Sequence, residues 1–319
     1  MPSLATASAG QARALKISAW LTGVYFVIEL VIGLYTGSVA VISDAFHTFS
    51  AVGGVLVALY ASRLAGRAVS KSKTFGWFRA EIIGALVNGA FLLVMAIFVI
   101  YMGIMRLGSP IDLPTGPMLW AAAGGLVTEV ISLYLLTREK TDDLNMRGAF
   151  WHVMQTFVGS ILIIIAALVI QFTGFLLIDP ILGTAFGFVL LWASWGIIRE
   201  AMHLLMEGTP EDVELPKVIS TLGAIKGVGD IHHVHAWALT SGRYVFSAHL
   251  RLQKDAKEDQ DTILKSAHKI LKDDFGFYFA TVQIESTCLD EKHAMDIDVT
   301  DSKEDHSQHQ PKDSTHQGH

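Results

Sequence analysis

Two histidines, His47 in VISDAFHTFSAVGG and His152 in GAFWHVMQTFVGS, each stand about one turn into an apolar run long enough to cross a bilayer. Imidazole is the common neutral ligand for zinc and other first-row divalent ions. A helix brings residues i and i+4 onto one face, so a second ligand one turn further on would complete a pair. Those positions hold Ala51, which can donate nothing, and Thr156, whose neutral hydroxyl is a poor zinc ligand. The remaining ionisable groups in the apolar runs are Glu29, Asp44, Glu81, Glu129 and Asp179. Such groups are costly in a membrane and each is a functional hypothesis by default. Glu81 and Asp179 fall at run ends, where a solvated boundary role is expected. The plain alternative for each histidine is a hydrogen bond to a neighbouring helix. Two histidines in matching positions, each among small residues (Ser43, Ala45 and Gly53; Gly148, Gly159 and Ser160), favour a shared site between helices that pack closely.

The elements that must position these groups are membrane spans. Hydrophobic residues make up 51% of the 319-residue chain and charged residues 17%, too apolar for a soluble protein of this size. Six runs approach or exceed the roughly 20 residues needed to cross hydrocarbon: about Ile17–Tyr35, Val39–Ala61, Ile82–Met105, Pro117–Leu136, Phe150–Phe172 and Phe175–Ile198. None has the layout of a signal peptide. Lys and Arg crowd alternate connections: Arg13 and Lys16; Arg63, Arg67, Lys71, Lys73 and Arg79; Arg138, Lys140 and Arg147. The positive-inside rule therefore places both termini in the cytoplasm. The lone Cys288 falls on that side, and no disulfide framework exists.

Composition changes at MEGTPEDVELP. The expected organisation is a cytoplasmic segment over 1–14, a six-helix transmembrane domain over 15–207, a cytoplasmic α/β domain over 208–289 and a disordered acidic tail over 290–319. In the α/β domain LPKVISTLGAI reads as a helix, DIHHVHAWAL and RYVFSAHLRL as strands, DTILKSAHKILKDDF as an amphipathic helix and FYFATVQIE as a third strand. Strict alternation puts His232 on one face of the first strand and His233 and His235 on the other, while His249 takes the polar face of the second strand. The tail carries His293, His306, His309, His316 and His319, a metal-attracting composition without site spacing. No phosphate-cradling loop, nucleophile elbow or zinc-hydrolase signature appears, which argues against an enzyme. Nothing resembles a channel selectivity filter.

The ordered phrases GSVAVISDAFH, KTFGWFRAEIIGALVNG, LNMRGAFWHV, IDPILG, LLMEGTPEDV, GVGDIHHVHAWALTSGRYVFSAHL and TVQIES resemble the cation diffusion facilitator family over almost all of residues 15–288. The resemblance implies a divalent-metal/proton antiporter of the bacterial inner or cell membrane. It implies a homodimer and a metallochaperone-like, ferredoxin-like cytoplasmic domain. It also implies a four-ligand site, from a histidine or aspartate with an aspartate one turn later on span 2 and the same pairing on span 5. Here His47 and His152 are kept, and the aspartates fall on Ala51 and Thr156. Glu129 occupies a span-4 position where the family usually has a neutral residue such as asparagine.

Three readings follow. In the first, the site is rebuilt from His47, His152 and Glu129, with Asp44 beside them, and exports zinc, cobalt, iron, manganese or cadmium. In the second, the chain is a transport-deficient regulatory or structural subunit, alone or in a heterodimer, that binds metal only through its cytoplasmic domain. In the third, an ordinary exporter was disabled by substitution, which Thr156, Gln155 and Glu129 disfavour. By the same resemblance His232, His249 and Glu285 bind one or two metal ions at the dimer interface. No prosthetic group or nucleic-acid partner is expected; the partners are the bilayer, protons and a second subunit.

Overall fold

The computed structural model describes residues 9–65, 69–138, 144–240 and 242–287, with some side chains inside these stretches, including those of Ala51 and His152, outside the description. The acidic tail, Cys288 and the first residues of the N-terminal segment lie outside the described residues. Two units result, one formed by the residues up to Gly208 with Ala238–Gly242, the other by Thr209–Trp237 and the residues from Arg243 onward.

The membrane unit is built of six long helices: α1 (Ala9–Thr36), α2 (Val39–Ala65), α3 (Ala80–Gly108), α4 (Thr115–Arg138), α5 (Leu144–Thr173) and α6 (Ile178–Leu205). Among the described residues five helices, all but α2, are long and apolar enough to cross a membrane. Their outward side chains include Trp20, Tyr35, Trp120, Phe172 and Trp192, all largely exposed. Aromatic surface of that extent is untenable against water and natural against lipid.

Lipid tails are as apolar as leucine, so helix association here relies on close packing at small residues. Helix α3 lies along α6 and α4 along α5, while α2 touches α1, α3, α5 and α6. At Gly183 of α6 an added Cβ would lie 2.6 Å from the Val39 carbonyl carbon, so only glycine lets α6 come this close to the α2 backbone. The start of α2 is capped from the same place. Ser38 Oγ accepts from Val41 N at 3.2 Å and donates to Asp179. The Asp179 carboxylate also accepts from Val39 N at 2.8 Å and Ala40 N at 3.3 Å. Asp179 is thus fully buried at a helix N-terminus. The solvated boundary role expected for it is corrected: the orphan amides of α2 need an acceptor that water cannot reach to supply.

The second unit has the order α7 (Leu215–Gly223), β1 (Val228–Thr240), β2 (Arg243–Leu252), α8 (Gln260–Asp273) and β3 (Phe279–Glu285). The sheet order is β1-β2-β3. Gln253 N donates to Gly227 O at 3.0 Å, joining the start of β1 to the end of β2 as in a hairpin. Strand β3 runs parallel to β2, with His249 opposite Gln283 and Arg251 opposite Glu285. Phe246, Ala248 and Leu250 on one face of β2 join Val218 and Leu222 of α7 and Ile263, Ala267 and Leu271 of α8 in the core. Alternation then forces His249 and Arg251 onto the opposite face.

Candidate metal centres

The sheet face away from the core gathers imidazoles. Asp230 and His232 come from β1, His249 from β2 and Glu285 from the end of β3. His232 Nε2 lies 2.7 Å from Glu285 Oε1, and its Nδ1 lies 3.2 Å from Asp230 Oδ2. His249 Nδ1 lies 3.4 Å from Glu285 Oε2. All three residues named from the sequence for this centre are therefore brought together.

A fourth residue joins them and corrects the strand reading. His233 adopts a left-handed backbone, φ 51°, and is buried. Ile231 before it and Val234 and Ala236 after it all pack on the core. Ile231 and Val234, three apart across His233, both face inward, so the alternation slips by one residue there, the signature of a bulge. Two consecutive histidines thereby share one face, which strict alternation forbids. The His232 and His233 rings lie 4.9 Å apart, His233 and His249 5.0 Å, and His232 and His249 5.6 Å. One ligand nitrogen from each of the three lies within 4.8 Å of the others. A tetrahedral zinc with bonds of about 2.0–2.1 Å needs nitrogens about 3.4 Å apart. His235 stays exposed on the strand.

Burial works to raise the Glu285 carboxyl, but hydrogen bonds from Gln283 and His232 and the neighbouring charges of His249 and His232 hold it below the ordinary carboxylate range. An ionised carboxylate grouped with imidazoles is a donor set suited to zinc.

In the membrane unit, Glu129 of α4 is buried. Its Oε1 accepts from Ser160 Oγ of α5 at 3.0 Å; the Thr156 hydroxyl, which donates to Val153 O at 2.9 Å, lies near the same carboxyl. Asp44 of α2 is buried within electrostatic reach of Glu129. Gly159 of α5 makes that possible: an added Cβ there would stand 2.1 Å from Asp44 Oδ1. The structure thus joins Glu129, Asp44 and Thr156. His47 is buried with its ring edge-on to Phe186 of α6, centroids 5.6 Å apart. His152 lies in the first half of α5, its side chain outside the described residues. Gln155 is exposed.

Long apolar helices carrying buried carboxylates, beside a small unit with a histidine-rich sheet face, define a multi-pass membrane protein built to handle cations. Comparison with known proteins gives the class its name. Residues 15–206 match the cation efflux transmembrane domain and residues 210–287 the cation efflux protein cytoplasmic domain. The chain belongs to the cation diffusion facilitator family of efflux transporters. It is 34% identical over 276 residues, 86% of this chain and 87% of the relative, to the cation efflux system protein CzcD of Alcaligenes sp. (strain CT14). It is 32% identical over 279 residues, 86% and 89% of the two chains, to the cadmium, cobalt and zinc/H(+)-K(+) antiporter of Bacillus subtilis (strain 168). Against the zinc transporter ZitB of Escherichia coli (strain K12) it is 30% identical over 301 residues, 93% and 94% of the two chains.

Proposed function

We propose that this protein exports divalent metal cations from the cytoplasm in exchange for protons, through a transmembrane site rebuilt around Glu129. The observation that carries this reading is the hydrogen bond of the buried Glu129 carboxyl to Ser160 of α5, one turn after Thr156, the position where the family has an aspartate. A carboxyl delivered from α4 to that place stands in for the one α5 lacks. Asp44 supplies a second on α2, one turn before His47, and His152 on α5 completes the set. A dication in a low-dielectric interior needs compensating negative charge, and two carboxylates provide it. Exchange for protons follows because the ligands must be deprotonated to hold the ion.

The fold that serves this function has six spans, α2 being the sixth, with both termini in the cytoplasm of a bacterial cell membrane. The αββαβ cytoplasmic unit is a ferredoxin-like dimerisation domain. Its resident zinc is held by His232, His233, His249 and Glu285, and two copies form a homodimer.

Purified protein in liposomes with a pH gradient and a metal-sensitive dye tests the transmembrane reading. Zinc, cobalt, cadmium, iron or manganese moves in the wild type, and Glu129→Ala lowers the rate by about 10- to 100-fold. If no ion moves, or Glu129→Ala transports as the wild type does, the rebuilt site is wrong. If no ion moves, metal handling resides in the cytoplasmic unit alone; if Glu129→Ala transports normally, the membrane unit carries the ion through other groups.

A further inference from the structure

The Glu29 carboxyl of α1 is fully buried and lies close to Asp44 and Glu129. Tyr25 Oη donates to its Oε1 at 3.3 Å and Thr48 Oγ1 to its Oε2 at 3.4 Å. The Asp44 carboxyl is its immediate neighbour, and Glu129 lies within electrostatic reach. Three carboxyl groups from α1, α2 and α4 therefore converge, each less than a twentieth exposed. None of them takes part in an ion pair with Lys or Arg among the described residues.

A cluster of buried acids is not a site by itself; what lies within this one points to a ligand. Both Asp44 oxygens and Oε2 of Glu129 accept no hydrogen bond among the described residues. The neighbour Asp44 does have is another acid. Lone pairs buried without donors cost free energy unless a positive species sits between them. Helix α5 leaves room for the Asp44 carboxyl only because Gly159 carries no side chain.

We propose that Glu29 is a further ligand of the transmembrane site and makes it an oxygen-rich pocket for a hard divalent cation of the Mn²⁺ class. This rests on the reading that the site carries the transported ion. Every group on the α1 side is an oxygen: the carboxyls of Glu29, Asp44 and Glu129, with the hydroxyls of Tyr25 and Thr48 behind them. Carboxylate oxygens suit Mn²⁺ and Mg²⁺, whereas imidazole-rich and thiolate-rich sites suit zinc and softer ions. The sequence reads as a site stripped of two aspartates. The folded chain returns negative charge to it from α1 and α4.

The full chain in proteoliposomes, with Mn²⁺ and zinc supplied separately, is compared with Glu29→Gln and Glu29→Asp. The expected result is Mn²⁺ transport by the wild type, lowered by about 10- to 100-fold in Glu29→Gln. Glu29→Asp, which keeps the charge but withdraws it by one methylene, recovers part of that rate with a changed Mn²⁺-to-zinc ratio. That ratio also decides the matter where Glu29→Gln fails to fold, and an unchanged ratio overturns the proposal. If Glu29→Gln carries Mn²⁺ as the wild type does, Glu29 is no ligand, while transport itself stands. If the wild type moves zinc and not Mn²⁺, the ion class is wrong. If it moves neither of these nor cobalt, cadmium or iron, the transport reading falls on its own. Mn²⁺ titrated into the detergent-solubilised chain and followed by electron paramagnetic resonance then decides Glu29 separately. Bound Mn²⁺ that disappears in Glu29→Gln upholds the site, and binding that is absent or unchanged overturns it.

Discussion

His233 offers a prediction whose sign is opposite to the ordinary rule for strands. Glycine inside a strand is normally less stable than alanine by roughly 0.5–1 kcal/mol, because it loses more backbone entropy on folding. At φ 51° any residue with a Cβ meets the following carbonyl, which costs about 1–2 kcal/mol that glycine avoids. The difference favours glycine by about 0.5–1 kcal/mol. His233→Gly is therefore expected to be more stable than His233→Ala, although both lose the same imidazole. Hydrogen exchange of the β1 and β2 amides in the full chain measures this locally. At 1.4 kcal/mol per factor of ten, the glycine variant shows amide protection about 2- to 5-fold higher. If His233→Gly is instead the less protected of the two, the left-handed residue is not held in solution. The bulge that brings His232 and His233 onto one face would then be wrong. Both variants are expected to lose zinc-induced protection to the same degree, since the backbone strain does not touch the ligand count.

Two further outcomes follow from groups outside the centres. Asp179→Ala leaves the Ser38 hydroxyl and the Val39 and Ala40 amides without their acceptor at the buried start of α2. It should destabilise the protein by roughly 2–4 kcal/mol, read as earlier thermal unfolding in detergent. Tyr244, held first by burial and then by its hydrogen bond to Asp212, ionises only at about 12. Its raised pKa in the fold means that its contribution is intact below the ordinary tyrosine value and is lost as pH climbs through that higher value. The tyrosinate absorbance difference between wild type and Tyr244→Phe should appear in that alkaline range, and Asp212→Asn should move it lower without abolishing the shift.

How much of this was legible in the sequence differs between the two units. The αββαβ order of the second unit was readable because its hydrophobic residues recur at 3.6 and 2 residue periods. His232, His249 and Glu285 could be named from resemblance, and their separation follows from strand pairing. His233 could not be added, since nothing in HHVH announces a left-handed backbone; the only signal is the shift of core-facing residues from Ile231 to Val234 and Ala236. In the membrane unit Glu129 stood out as a carboxylate where a neutral residue is usual. Glu29 looked the same as any costly intramembrane acid, and Asp179 looked like a boundary residue.

What the sequence alone determined is set by chain-local physics. Long apolar runs must be helices in lipid, basic loops orient them, and alternating strands bury one face. Which buried acids meet, and which backbone amides an acid caps, is a matter of helix rotation and depth. Those depend on where glycines such as Gly159 and Gly183 let neighbouring helices close in. Glu29, Asp44 and Glu129 are far apart along the chain, and periodicity within one helix carries no information about its neighbour's rotation. Only the packed helices decided that the carboxyls of Glu29, Asp44 and Glu129 come within reach of one another.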